Sequence, residues 1–276
     1  MNSKFLGHYP KLKWKVYHIY RFFHDLSYSI RKNKNNLCPS GLTFVGDGNF
    51  VEIGNEFFQY FIDLCNVKRS AKILDLGSGM GRMAIPFTKY LDQNGIYCGF
   101  DVFKSGIQWS QKYITSQFSN FNFTHFDIYN KEYNPDGKIS PTKFTFPYDD
   151  NYFDLVFATS VFTHLLPSDL PHYFSEINRV TKPNGVCFLT FLLLNEESMK
   201  LVQEKKSKIL FEHYEDNHAL MLRDIPEHTI AYDENFIHSI YNTTNLVISD
   251  PIHYGSWCGR DKFKSSQDII ISIKQN

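Results

Sequence analysis

Along the chain, short apolar runs alternate with stretches in which apolar residues recur every three or four positions, the spacing of one helical face. Lys72 to Leu76, Gly95 to Phe100, Asn122 to Phe126, Phe153 to Ala158 and Val186 to Leu194 read as strands. Between them Met83 to Leu91, Ser105 to Phe118 and Leu170 to Val180 read as helices. Strands that alternate with helices predict a parallel sheet covered on both faces, hence an α/β fold. After Leu194 the rhythm breaks: residues 195–229 carry a charged helix-like stretch, Glu196 to Phe211, and a His-rich connection. The rhythm resumes with a helix over Glu234 to Asn242 and strands over Leu246 to Ile252 and Asp268 to Lys274. An insertion at that point stands at the edge of the sheet where ligands bind, which predicts a lid at 195–229.

Ahead of the sheet, Leu12, Val16, Tyr20, Phe23, Leu26 and Ile30 step by three or four, with Lys and Arg gathered at both ends. The pattern predicts an amphipathic helix within a basic arm at 1–36, followed by the main domain at 37–276, with a further helix over Glu56 to Cys65. The helix is expected to dock on the domain or on a second subunit, the latter making a homo-oligomer, rather than to bind a membrane.

Charge changes this picture little. Lys and Arg total 29 and so do Asp and Glu, so the whole chain offers no ground for a nucleic-acid partner, although residues 1–36 hold eight basic residues against Asp25 alone. The five cysteines (Cys38, Cys65, Cys98, Cys187, Cys258) are odd in number and form no CxxC pair, which reads as reduced thiols in a cytoplasmic protein. The longest apolar run, Val186 to Leu194, is far shorter than a membrane-spanning helix, and no transmembrane segment is expected. No set of Asp, Glu, His or Cys has a spacing that argues for a metal.

The chemistry begins at Asp75-Leu-Gly77-Ser-Gly79-Met-Gly81-Arg82, directly after the first strand. Glycines at such a turn let a ligand press against backbone N–H groups. A dinucleotide fingerprint needs G-x-G-x-x-G, which would put its third glycine where Arg82 stands. Asp75, two residues before the first glycine, would repel a pyrophosphate and could hold an ammonium group. An NAD-linked reductase is therefore the weaker alternative, and a cation-bearing nucleoside the stronger. Asp101, at the end of the second strand, stands where a carboxylate accepts ribose hydroxyls.

Ile73 to Arg82, Phe100-Asp101-Val102, Phe126-Asp127-Ile128, Phe153 to Val156 and Arg179 to Gly185 together resemble the ordered motifs of class I S-adenosylmethionine-dependent methyltransferases, from about Phe44 to the C-terminus. The resemblance implies a Rossmann-like doubly wound sheet of seven strands, mostly parallel with one antiparallel strand near the C-terminus. It implies S-adenosyl-L-methionine as cofactor and S-adenosyl-L-homocysteine as product. Asp75, Gly77 and Gly79 would cradle the methionine part, Asp101 the ribose, Val102 the adenine face, and Asp127 with Ile128 the adenine edge. Thr159 would offer its carbonyl to the ammonium, and Arg82 is our addition as a partner for the cofactor carboxylate. The Phe44 to Phe58 block, Phe146-Pro-Tyr148 and the long interruption resemble a bacterial branch often found among surface-glycan genes.

Base-amine methylation in this fold uses a D/N-P-P-Y/F string after the fourth strand, where this chain has Ala158-Thr-Ser-Val-Phe162. A hydroxyl acceptor needs one proton removed, so O-methylation of a small molecule or glycan precursor is the leading expectation. His164 or His253, each after a strand, would serve as base. Tyr254, Trp257 and Arg260 would meet a polar acceptor, since aromatic faces pack on sugar rings and Arg pairs with anions. His213, His218 and His228 read as surface residues. A scaffold that binds the cofactor without turning it over is the alternative from outside enzymology.

Overall fold

The computed structural model describes residues 50–276; the basic arm 1–36 and its helix lie outside the described residues. Helix α1, Phe50–Cys65, buries Phe50, Gly54, Phe57, Phe61 and Cys65, one stripe at helical spacing. Next come β1 (Lys72–Leu76), α2 (Ala84–Phe87), β2 (Ile96–Asp101), α3 (Lys104–Ser110), β3 (Phe121–His125) and β4 (Phe153–Ala158). Helix α4 (Leu170–Val180) leads to β5 (Thr181–Phe191) and β6 (Leu193–Leu194), then α5 (Glu196–Gln203), β7 (His213–Tyr214), β8 (His218–Leu220) and β9 (Ile230–Asp233). Helix α6 (Glu234–Tyr241), β10 (Leu246–Ile248) and β11 (Asp268–Lys274) close the chain.

Seven strands form one sheet in the order β10-β11-β5-β4-β1-β2-β3, with β11 antiparallel to both neighbours and the other pairings parallel. This is the Rossmann-like sheet expected. Because side chains alternate along a strand, β4 sends Val156 and Ala158 to one apolar layer and Leu155 and Phe157 to the other. The first layer holds the apolar faces of α4 and α6, and the second holds those of α1 and α3. In the second layer Phe61 of α1 meets Phe157 at 4.5 Å and Phe188 at 4.9 Å between ring centres. From β1 the chain moves outward to β2 and β3, then returns to β4 on the other side. The loops after β1 and β4 therefore diverge, and a crevice opens at the carboxyl ends of these strands.

Several elements end earlier than their apolar patterns suggest. The helix expected over Met83 to Leu91 is only α2, since Thr88 and Tyr90 bond the carbonyls of Ile85 and Phe87, three residues back, as tight turns do. Helix α3 continues as a π-helical turn over Gln111–Thr115. The charged helix expected to Phe211 stops at Gln203, because Lys205 takes a left-handed φ of 59° and the Lys206 N–H turns back to Leu201. Strands on both sides of this helix build a second sheet: β6 pairs parallel with β9, and β8 lies antiparallel to β9 and β7. This small sheet has its own core of Leu192, Leu194, Phe211, Ala219, Ala231, Trp257 and Cys258. Among the described residues no helix is long and apolar enough to cross a membrane, and Cys65, Cys98, Cys187 and Cys258 are free and buried.

Candidate functional site

The glycine-rich turn after β1 is built by backbone conformations that side chains resist. Gly77, Gly79 and Gly81 have φ of 72°, 53° and 73°. A Cβ on Gly77 would stand 2.4 Å from Val161 in the segment after β4, so the two diverging loops touch there. A Cβ on Gly79 would meet nothing within 4 Å; the turn is concave and open at that residue. The Gly77 and Ser78 N–H groups donate to the Phe100 carbonyl at the end of β2.

Asp101 faces this turn. Its carboxylate accepts from the Gly79 N–H at 2.7 Å and the Phe103 N–H at 2.6 Å, both main-chain donors, and it keeps lone-pair capacity beyond them. Burial raises its pKa, against the opposing pull of these N–H groups and of His125. Asp75 is deeper, at 1% exposure, and accepts from the Tyr97 hydroxyl at 2.5 Å. Burial pushes its pKa well above the usual carboxylate range, Tyr97 opposes, and the charge of Asp101 raises it further. Its Oδ1 is buried with no hydrogen-bond partner.

The other expected cofactor residues line the same strand ends. Val102 and Thr159 are partly buried just past β2 and β4, and Ile128 is fully buried in the first apolar layer. Asp127 accepts from the Asn134 side chain at 3.1 Å, and the same Nδ2 group donates to the Ile128 carbonyl at 2.9 Å. Arg82 lies beside α1, its guanidinium 5.2 Å from the centre of the Phe50 ring. An open cradle at Gly79, a strand-end acid with capacity to spare and an orphaned acceptor on Asp75 fit a ligand that brings hydroxyl and ammonium donors.

His164 sits in a short turn after β4, where its Nδ1 meets the Glu227 carbonyl at 2.9 Å and its Nε2 meets the Tyr133 hydroxyl at 3.2 Å. Burial lowers its pKa. His253 is tied by its backbone, which exchanges hydrogen bonds with Ile269 at the start of β11, and its side chain is partly exposed. Its pKa falls through burial and the charge of Lys264. The two histidines belong to separate clusters.

Trp257 and Arg260 are committed elsewhere. Trp257 is 3% exposed and donates its Nε1 proton to Asp268 at 2.7 Å. Arg260 is 6% exposed and contacts Asp268, Glu197, Asn195 and the Gly255 carbonyl, with its guanidinium 4.7 Å from the centre of the Tyr254 ring. Tyr254 donates its hydroxyl to Glu234 at 2.8 Å. Trp257 and Arg260 thus close a buried polar hub between the small sheet and β11, and Tyr254 alone of the three keeps appreciable exposure.

Sequence reasoning passed over Tyr133, Asn130 and Glu227. The signal for the first two was the Asn-rich, Pro- and Gly-containing loop after β3, where Asn side chains fold back on their own backbone. The Asn130 side chain accepts from the N–H groups of Glu132 and Tyr133 and donates to the His164 carbonyl. His228, expected at the surface, faces the buried Glu132 at 3.3 Å. Among the described residues no group of three or more His, Cys, Asp or Glu could hold a metal ion.

Residues 74–189, which span the glycine-rich turn, Asp101, Asp127 and His164, match the model of a protein family described as a methyltransferase domain. The fold is shared with the PH0226 protein of Pyrococcus horikoshii OT3, at a TM-score of 0.57 and 16% identity, covering 84% of this chain and 94% of that one. It is also shared with a candidate S-adenosyl-L-methionine-dependent methyltransferase of Methanococcus maripaludis, at a TM-score of 0.52 and 16% identity, covering 82% of this chain and 87% of that one. Over residues 74–189 this chain is thus similar to a methyltransferase domain, on a fold that a candidate S-adenosyl-L-methionine-dependent methyltransferase shares.

Proposed function

We propose that this chain is an S-adenosylmethionine-dependent methyltransferase, releasing S-adenosylhomocysteine, that acts on a hydroxyl group of a polar small molecule or sugar precursor in the cytoplasm. The observation that carries the reading is the segment after β4. The chain there has Ala158-Thr-Ser-Val-Phe162 in place of a proline-rich amine-holding string, and the turn that follows presents an imidazole whose pKa is lowered by burial. A neutral imidazole takes a single proton, which is what a hydroxyl must lose.

When bound, the cofactor supplies an electrophilic methyl group. The chain binds and orients it: Asp101 takes the ribose hydroxyls, Gly77 and Gly79 leave room for the methionine part, and Asp75 with the Thr159 carbonyl receives the ammonium. Val102 and Ile128 flank the adenine, Asp127 accepts from its amine, and Arg82 answers the carboxylate. His164 or His253 removes the acceptor proton.

The insertion at 195–229 closes over the acceptor. It borders a cavity of about 520 Å³ whose walls include Asn195, Glu196, Asp216, His218 and Glu234. Carboxylates on that wall favour a neutral or cationic hydroxyl compound over a phosphorylated one, and Tyr254 reaches this wall through its bond to Glu234. With Arg260 spent on Asp268 and Glu197, no role as an anion partner is assigned to it.

A transfer screen with isotopically labelled cofactor tests the reading, using neutral sugars, polyols, nucleotide sugars, amines and thiols, with products resolved by mass spectrometry. O-methyl products are expected. Products confined to nitrogen or sulfur would overturn the acceptor class, and cofactor bound but never consumed across the panel would favour a non-catalytic scaffold.

A further inference from the structure

Beside the cofactor edge, three separate parts of the chain meet in one hydrogen-bonded series that no cofactor role uses. The loop after β3 brings Asn130, Glu132 and Tyr133; the turn after β4 brings His164; and the insertion brings Glu227 and His228 in a short turn at Pro226–His228. Asn130 fixes the loop against the turn, because its Nδ2 donates to the His164 carbonyl at 2.8 Å while its Oδ1 accepts from the Tyr133 N–H at 2.9 Å. Behind the turn, the fully buried Tyr232 of β9 donates its hydroxyl to the Phe162 carbonyl at 2.8 Å. The insertion clasps the same loop through the Glu227 carboxylate on the Lys131 N–H at 3.3 Å and through His228 on Glu132.

We propose that Tyr133 and His164 form a proton-accepting pair for the acceptor hydroxyl, and that the Glu227 carbonyl of the insertion is the positioning group that makes the pair competent. The proposal rests on the hydroxyl reading above. A carbonyl can only accept, so the Nδ1 that faces Glu227 at 2.9 Å carries the proton of the neutral ring. Nε2 is then a bare acceptor, and the phenol 3.2 Å away donates to it. That leaves the lone pairs of the phenol oxygen to receive a proton from an incoming hydroxyl.

The charges around the pair agree with these roles. Burial lowers the His164 pKa and His228 lowers it further, while the Glu227 carbonyl and Glu132 oppose, so the ring is neutral at neutral pH. Burial raises the Tyr133 pKa, and the charges of Glu132 and Asp101 raise it further, so the phenol stays protonated and relays a proton. Asn134, next to Tyr133, is tied to Asp127 on the adenine side.

As the acceptor oxygen forms its bond to the methyl carbon with a lone pair, the electrons of the broken C–S bond stay on sulfur. The acceptor proton passes to the Tyr133 oxygen while the Tyr133 proton passes to His164 Nε2. The imidazolium so formed donates to Tyr133 and to the Glu227 carbonyl, and it returns its extra proton to water when the insertion opens.

The test is ring-nitrogen NMR on the full chain labelled with 15N histidine, with His164→Asn identifying the signal. At pH 7 His164 is expected to show a protonated Nδ1 and an unprotonated Nε2, and Tyr133→Phe should move the Nε2 resonance toward that of a free pyridine-type nitrogen. Both variants should bind S-adenosylhomocysteine within about twofold of the parent and lose about 100-fold or more in turnover of a hydroxyl acceptor found by the screen. His164→Asn keeps a donor where Nδ1 stood, so the insertion should remain as resistant to proteolysis as in the parent; His164→Gln cannot place one there and should loosen it. An Nε2-protonated ring, an imidazolium at pH 7, or full turnover in Tyr133→Phe would overturn the pair. Methylation confined to amines would overturn the hydroxyl reading and the pair's role with it, whereas a wrong tautomer alongside O-methyl products would overturn the pair alone.

Discussion

Asp101 and Asp268 are both acids at strand ends on the ligand-binding edge of the sheet, and they have opposite fates. Asp268 is fully buried and accepts four hydrogen bonds: from the Leu193 and Gly255 N–H groups, the Trp257 indole and the Arg260 guanidinium, at 2.6–3.2 Å. A carboxylate has about four lone-pair sites, so this one is saturated. Burial pushes its pKa up to about 6, which leaves it ionised at neutral pH. Asp101 is partly exposed, is held by main-chain N–H groups, and faces the open concavity at Gly79. An acid whose oxygens are all taken holds the fold together, and an acid with capacity left over can hold a ligand. The same arithmetic separates Arg260 and Trp257, whose polar atoms are consumed by the hub, from the groups around the glycine turn.

The largest effect should come from breaking the saturated acid. Asp268→Ala strands the Arg260 guanidinium in a buried site and removes the partner of three further donors, so it should destabilise the protein by about 3–5 kcal/mol. Urea unfolding checks this, and a loss below 1 kcal/mol would show that water replaces the hub freely. Asp101→Ala should instead weaken S-adenosylhomocysteine binding by about 1.5–3 kcal/mol, measured by calorimetry, since on the proposed reading it removes charge-assisted bonds to the ribose.

A smaller effect sharpens the cofactor side of the contrast. Gly79→Ala has space for its Cβ but keeps a left-handed φ, so about 1 kcal/mol of stability is lost while the new methyl occupies the cradle. Cofactor affinity should fall about tenfold, and unchanged affinity would move the methionine part away from this turn.

The smallest effect is a pH slope. The folded pKa of His164 lies below its ordinary value of 6.5, so the unfolded chain binds the extra proton first, and stability should rise with pH until it levels above that value. The contribution is lost as pH falls through the window between the two values. His164→Asn should remove this part of the slope in thermal melts between pH 5 and 8, and an unchanged slope would place the titrating group elsewhere.

Much of the glycine-rich turn and its facing acid was legible in the sequence because the signals are local. Gly77, Gly79 and Asp101 lie in strand-to-turn junctions whose pattern occupies a few consecutive residues, and β4, α4 and β11 stand where the periodicity puts them. The hub and the proton-accepting pair depend on contacts between distant positions. Asp268 meets Leu193 across 75 residues, and His164 meets Glu227 across 63. The small sheet is built from strands of two to four residues, too short for an alternation to register, so the insertion read as a charged helix. Trp257 and Arg260 carried the composition of a binding loop, and composition does not say which polar atoms are already paired.

Side-by-side calorimetry and unfolding of Asp101→Asn and Asp268→Asn tests the division of labour most directly. Asp101→Asn should bind S-adenosylhomocysteine about 10- to 100-fold more weakly while melting close to the parent, and Asp268→Asn should melt markedly lower while its folded fraction binds with parental affinity. The reverse pattern, with Asp268→Asn losing the ligand and Asp101→Asn losing the fold, would contradict the assignment of the open acid to the cofactor and the saturated acid to the structure.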